Sequence, residues 1–263
     1  MTDQPDYKKV CLTIAGLDPS GGAGIIADAR TFFAFGCQAA AAVTSITFQN
    51  AAAVTGVENQ TPETIRRQLE PIFAETAISA VKIGMIPAAD TIRAVAAILR
   101  ENRVENLVVD PIVRSSSGFD LIDDYALAAL VEELLPLAAL VTPNIPETEL
   151  ITKKSIATDD DITEAAEIIR SRGAKNILIK GGHFDIHGTS SRDFLFINGK
   201  RTILEAERIR SSSARGTGCM LSAAIAANLA LGKGLIEAAA TAKSYVTEII
   251  RGSGQKRTVS NQE

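Results

Sequence analysis

Gly216-Thr217-Gly218-Cys219 leads into an alanine-rich apolar stretch, Ser222 to Leu231. A flexible turn that opens a helix gathers several unpaired backbone N–H groups at one point, and the helix dipole adds partial positive charge there. A phosphate or a developing oxyanion suits such a point. The same field favours the thiolate of a cysteine in the first turn. An anion cradle and a base therefore stand side by side, a combination that points to phosphoryl transfer. Taken alone, these four residues equally describe a helix start with a buried cysteine.

A second glycine-rich turn, Gly16-Leu17-Asp18-Pro19-Ser20-Gly21-Gly22-Ala23-Gly24, follows an apolar run and precedes a helical stretch carrying Asp28. No Gly-Lys-Ser/Thr follows it, so it is not a Walker A loop. No well-spaced acid ends a second strand, so it is not a dinucleotide fingerprint. Its glycines permit close backbone approach to a ligand. Asp28 is placed either to accept from a substrate hydroxyl or amine, or simply to be solvated. Asn144 and Glu147 offer an amide oxygen and a carboxylate three residues apart, which suits Mg²⁺ with its retained waters and equally describes a helix cap followed by an acid. Asp110 is a second candidate for the metal shell. Lys180, with Gly181 and Gly182 after it, either reaches nucleotide phosphates or is exposed. Gln49 both donates and accepts, which matches the edge of an aminopyrimidine, although a lone glutamine also reads as solvated. His183 and His187 are the only histidines, and nothing pairs them with a serine or cysteine, so neither is assigned to catalysis.

These residues need elements to hold them. Val10–Ala15, Val81–Gly84, Leu107–Asp110, Leu140–Thr142 and Ile177–Lys180 are short runs rich in Val, Ile and Leu, as buried parallel strands are. Helical patterns alternate with them at Gly24–Phe35, Pro62–Glu75, Ala88–Glu101, Asp123–Leu135 and Asp160–Arg172. Phe194–Ile197, Asn198-Gly199 and Thr202–Ala206 read as an edge hairpin. The expectation is an α/β protein with a central, mostly parallel sheet, helices on both faces and a small edge hairpin. The candidate residues fall at the carboxyl ends of strands, where open α/β sheets bind ligands. No linker or repeat interrupts the chain, so residues 1–263 are expected to form a single domain, with 253–263 a flexible tail.

The 263 residues include 46% hydrophobic and 22% charged side chains, ordinary for a globular enzyme, and the net charge is −4. No block of one sign favours nucleic acid or an anionic membrane as partner. Three cysteines without metal-ligand spacing read as reduced thiols. The polar start, Met1 to Lys9, has no apolar signal region, and no apolar run reaches spanning length. A soluble, cytoplasmic protein is expected.

Read together, Ala15-Gly16, Asp18 to Gly24, Lys82-Ile83-Gly84-Met85, Thr142-Pro143-Asn144, Lys180-Gly181-Gly182-His183 and Gly216-Thr217-Gly218-Cys219 resemble the hydroxymethylpyrimidine and phosphomethylpyrimidine kinases of thiamine biosynthesis, in the ribokinase-like superfamily. The likeness runs from about Leu12 to about Arg251. It implies transfer of the γ-phosphoryl of Mg²⁺-ATP to 4-amino-5-hydroxymethyl-2-methylpyrimidine, its monophosphate, or both. It also implies that Gly16, Asp28, Gln49 and Met85 hold the pyrimidine, and that Asn144, Glu147, Lys180 and Gly182 serve Mg²⁺-ATP. Gly216, Thr217 and Gly218 would form the anion hole, Cys219 would be the base, and the protein would be a homodimer. The chain departs from the family pattern at Leu17, Ile26, Ile112 to Gly118, Arg215 and Gly252-Ser253-Gly254. Arg215, in place of a histidine, offers positive charge to a transferring phosphoryl group. A pyridoxal kinase and a non-catalytic pyrimidine sensor are the competing readings. Gln49 and Lys180 to His183 favour the pyrimidine over vitamin B6. Cys219, Asn144 and Glu147 argue against the sensor.

Overall fold

The computed structural model describes residues 9–50, 53–114, 118, 120–182, 184, 188–209 and 216–255. Within them, β1 (Val10–Leu17), β2 (Gln38–Gln49), β3 (Val54–Asn59), β4 (Ile78–Ile83), β5 (Leu107–Val109), β6 (Leu140–Val141), β7 (Asn176–Lys180), β8 (Ser190–Ile197) and β9 (Lys200–Glu207) form one sheet. Its order is β3-β2-β1-β4-β5-β6-β7-β8-β9. The run from β2 to β7 is parallel, while β3 at one edge and β8 and β9 at the other are antiparallel.

Alternation along the strands explains why both faces are covered. Leu12, Ile14, Val81, Ile83, Leu107 and Val109 point to one face. There they meet α2 (Pro62–Glu75), α3 (Ala89–Glu101), α4 (Asp124–Ala129), α5 (Ile145–Thr152) and α6 (Asp159–Ser171). Cys11, Ala80, Val108 and Leu178 point to the other, against α1 (Gly24–Ala34), α7 (Thr217–Ala230) and α8 (Leu235–Gln255). Helix α7 is buried on all sides from Leu221 to Ala230, and its alanines let it lie close to the strands and to α1 and α8. No helix among the described residues is long and apolar enough to cross a membrane.

The α/β architecture is the expected one, with differences that have local causes. The helix expected over Asp123–Leu135 is regular only to Ala129, then widens into a π turn (Leu130–Leu134) and tightens into a 3₁₀ turn (Leu135–Leu137). Pro136 has no N–H to donate and its ring crowds the carbonyl one turn back, so the ladder changes register ahead of it. The edge hairpin is longer than expected, and its Asn198-Gly199 turn has both φ values positive, +51° and +78°, the geometry that matches strand twist. Strand β3 carried no expectation, and β2 was recognised only by its end at Gln49. Its run of alanines has weak strand preference. The tail expected from 253 is corrected at its start, because α8 continues to Gln255; 256–263 lie outside the described residues.

One buried ion pair fastens the carboxyl end of β7 to the edge strands and α8. Asp193 Oδ1 accepts from the Gly181 backbone N–H (3.0 Å), and Oδ2 accepts from Lys243 Nζ (2.8 Å). Their side chains are 7% and 11% exposed. Removing one partner strands the other charge in a dry environment. Lys243→Met is expected to lower the unfolding free energy by about 3 kcal/mol in urea titrations. Arg66→Ala, which breaks the exposed pair with Glu70, is expected to cost less than about 1 kcal/mol.

Candidate active site

Because β2, β1, β4, β5, β6 and β7 are parallel neighbours, their carboxyl ends set the candidate residues in a row: Gln49, Gly16, Met85, Asp110, Asn144 and Lys180. The turn after β1 is knotted by Asp18. Its Oδ1 accepts from the Ser20 N–H and hydroxyl (2.8 and 2.6 Å), and its Oδ2 from the Gly22 and Ala23 N–H groups (3.1 and 3.0 Å). A Cβ on Gly24 would lie 2.2 Å from the Gly16 carbonyl oxygen, and φ there is +58°, so the turn closes only with glycine.

The other glycine turn docks on this one. A Cβ on Gly216 (φ +74°) would lie 1.9 Å from the Gly22 carbonyl oxygen. The starts of α1 and α7 therefore stand together, and their N-cap residues, Ala23 and Gly216, supply no side-chain cap of their own. Lys180 Nζ approaches to 3.3 Å of a Cβ position on Gly218, which puts an ammonium beside the same backbone. A concentration of backbone N–H groups and positive charge of this kind is what an anionic phosphoryl group requires.

Cys219 sits just inside α7, and the Gly24 N–H at the start of α1 is bonded to it. The thiolate expected from the helix start is corrected by its surroundings. Burial pushes the thiol up to about 11; Asp28 and Asp110 add to this, and Lys82 and the Gly24 N–H oppose it. Asp28 is wholly buried, not solvated, and its Oδ2 accepts from Thr13 Oγ1 (2.6 Å) and Lys82 Nζ (2.8 Å). Burial raises its carboxyl against the pull of Lys82 and Thr13. For Lys82, burial works to discharge the ammonium, but Asp28, Cys219 and Asp110 outweigh it and the ammonium is strengthened.

Met85 is buried and packs on Gly16, where a Cβ would come 2.7 Å from its terminal methyl. Ser45 Oγ lies 3.0 Å from the same position and has no partner among the described residues. Gln49 is half-buried at the end of β2, paired with Val54 across the β2–β3 ladder. Neither Ser45 nor Lys82 was a sequence candidate for the site. Lys82 lies in the quoted Lys-Ile-Gly-Met stretch, but a lone serine and a strand lysine carry no signal for burial close to Cys219.

On the other side of Cys219, Asp110 Oδ1 accepts from Lys180 Nζ (2.6 Å) and Thr142 Oγ1 (3.1 Å), and its Oδ2 from Ser222 Oγ (3.2 Å). Burial acts against its charge, but Lys180 and Lys82 prevail and hold the carboxyl below its ordinary range. Asn144 and Glu147 form a reciprocal capping box: Glu147 N–H donates to Asn144 Oδ1 (2.8 Å) and Asn144 N–H to Glu147 Oε2 (2.7 Å). The Asn144 amide oxygen thus holds Glu147 in place. Glu147 Oε2 lies 3.8 Å from Lys180 Nζ. Gly182 keeps its carbonyl on Arg208 Nη1 (2.7 Å). Among the described residues no group of three His, Cys, Asp or Glu side chains is arranged to hold a metal. The site is the open crevice above the strand ends; clefts of 170 and 360 Å³ elsewhere are lined by none of these residues. Arg215, His183, His187 and Ser115 to Ser117 lie outside the described residues.

Burial lifts the Glu147 carboxyl from 4.5 to about 7, with Asp110 adding to it against Lys180 and the Asn144 N–H. Between those values the folded chain retains a proton that the unfolded chain has lost, so this contribution to stability disappears as pH rises through about 7. Glu147→Gln abolishes the titration. The difference in Tm between the wild type and Glu147→Gln is expected to shift against the wild type from pH 5 to pH 8.

The family model of phosphomethylpyrimidine kinase matches residues 18–261. A hydroxymethylpyrimidine/phosphomethylpyrimidine kinase of Rhizobium meliloti is 45% identical over 238 residues, covering 90% of this chain and 88% of that one. The crystal structure of a Clostridium difficile phosphomethylpyrimidine kinase superposes with a TM-score of 0.82 at 39% identity, over 92% of this chain and all of the other. A Staphylococcus aureus pyridoxal kinase in complex with AMP-PCP superposes at 0.84 with 30% identity, over 92% and 88% of the two chains. With its two glycine turns docked across the row of strand ends, this chain belongs to the phosphomethylpyrimidine kinase family.

Proposed function

We propose that this protein transfers the γ-phosphoryl group of ATP to the hydroxymethyl oxygen of 4-amino-5-hydroxymethyl-2-methylpyrimidine, of its monophosphate, or of both in turn, in thiamine biosynthesis. The observation that carries this reading is the close contact of the two glycine turns at Gly216 and Gly22, which brings the first turns of α7 and α1 together with Cys219 and Lys180 beside them. Phosphoryl transfer asks for positioning and charge neutralisation more than covalent chemistry, and the junction supplies both.

Gly16, Met85 and Gln49, at the ends of β1, β4 and β2, form the side for the pyrimidine with Asp28 of α1, whose Oδ1 has no partner among the described residues, and Gln49 matches the donor and acceptor of the aminopyrimidine edge. Lys180 and Gly182 form the nucleotide side, and Gly216, Thr217 and Gly218 receive the phosphoryl group in flight. Cys219 takes the hydroxymethyl proton on Sγ. Asp110 and Glu147 fit Mg²⁺ in kind: two hard oxygen donors converging on one cationic point, now held by Lys180 at 2.6 and 3.8 Å. They would hold the ion through its waters, and Asn144 would fix Glu147 for that task. Bound there, Mg²⁺ would neutralise phosphate charge. Three unpaired cysteines and the family resemblance support a cytoplasmic homodimer built on a single domain.

The structural likeness to a pyridoxal kinase makes pyridoxal the competing acceptor. ADP release is to be followed with Mg²⁺-ATP and hydroxymethylpyrimidine, its monophosphate or pyridoxal, each offered separately. Turnover of at least one pyrimidine above that of pyridoxal is expected, with kcat reduced about 10²-fold or more in Cys219→Ala. Turnover of pyridoxal alone overturns the assignment, and full activity in Cys219→Ala removes the base.

A further inference from the structure

A base that rests as a buried thiol needs something to hold the charge it acquires. Lys82, a charged group with no binding role, is among those that act on Cys219. Lys82 Nζ is fully buried beneath the row of strand ends, 2.8 Å from Asp28 Oδ2, and Asp28 in turn is fixed by Thr13. The ammonium also lies 2.8 Å from a Cβ position on Gly84, so the strand end leaves room for it only because residue 84 is glycine. Asp28 lies one turn along α1 from Gly24, whose N–H is bonded to Cys219. Asp28 Oδ1 is buried without a partner among the described residues, so the pair is incompletely compensated. Burying such a pair contributes little to stability compared with apolar side chains of the same size, and its position beside the thiol is the feature to be explained.

We propose that Lys82 is a positioning residue for the reaction: oriented by Asp28, its buried ammonium holds the charge that appears on Cys219 when the thiol gives up its proton. The S–H bond breaks, the electron pair stays on Sγ, and the proton leaves to water at the open mouth, where Cys219 retains 7% exposure. The thiolate then accepts the proton of the substrate hydroxyl. The charged groups facing Cys219 are Lys82 from β4, Asp28 from α1, Asp110 after β5 and Lys180 from β7. Of these, Lys82 acts most strongly on the thiol, and it acts in the direction of ionisation.

The relevance of this role to catalysis rests on the reading of Cys219 as base, but its test reads the thiol directly and needs no turnover. Iodoacetamide labelling of the folded protein is measured from pH 7 to 11.5, with peptide mass spectrometry reporting Cys219 separately from the wholly buried Cys11 and Cys37. In Lys82→Met the labelling rate of Cys219 between pH 8 and 10 is expected to fall about tenfold, the change that a midpoint raised by about one pH unit produces there. If Lys82 were merely structural, its loss would loosen the site, admit water and lower the midpoint toward that of an ordinary thiol. The double variant Lys82→Met/Asp28→Asn leaves no buried unpaired charge and decides the matter if Lys82→Met does not fold. Its midpoint is expected to rise by less, because a carboxylate that opposes ionisation has gone as well. An unchanged or lowered midpoint in the folded variant overturns the proposal. Loss of turnover in Cys219→Ala, by contrast, tests the base itself.

Discussion

Gly216 meets Gly22 backbone to backbone, at a distance where any side chain on Gly216 would collide with the Gly22 carbonyl. The arrangement of the site depends on this approach. It brings the first turn of α7 against the first turn of α1, so that the positive ends of two helix dipoles share one small volume. The approach is possible because the lower turn is itself rigid. Asp18 gathers four hydrogen bonds from Ser20, Gly22 and Ala23, and Gly24 sits directly on the Gly16 carbonyl. The cradle is therefore a product of two turns nearly 200 residues apart in sequence, each shaped to admit the other's backbone.

Around that junction lie two ion pairs, Asp28 with Lys82 and Asp110 with Lys180. Both carboxylates and Lys82 are almost fully buried, and Lys180 is 13% exposed. Such pairs recover much of their desolvation cost but seldom exceed it, so their value lies in the field they impose. Cys219 is between them, and its proton affinity is the balance of burial, two acids and the positive groups close by. Lys180 is placed differently: it is held by Asp110 and Glu147, and its Nζ stands 3.3 Å from a Cβ position on Gly218, beside the Gly216–Gly218 turn.

The strand ends were legible from residue patterns because a parallel sheet buried on both faces leaves continuous Val, Ile and Leu runs, and the ligand crevice follows from strand direction. The Asn144 and Glu147 spacing was legible as a cap or a metal pair. The structure shows the capping box, and it places the same carboxylate within reach of Lys180. Strand β2 was nearly invisible, since Gln38 to Ala42 has little strand preference and is held in extension by pairing with β1. The burial of Asp28 was hidden for a related reason: a carboxylate on the first helix looks solvated until the lysine that neutralises it, 54 residues away, is seen beside it.

What the sequence determined by itself was whatever depends on near neighbours. The alternation of elements, the Asn198-Gly199 turn, the cap at Asn144 and the two glycine turns all follow from bonds made within a few residues. The tertiary structure alone decided which groups share a dielectric. Burial pushed the Cys219 thiol up to about 11 where a thiolate was expected, paired Asp28 with Lys82, and raised Glu147 toward neutrality. A charge is governed by everything within several ångströms of it in a medium that screens poorly, and distance along the chain carries almost no information about that surrounding.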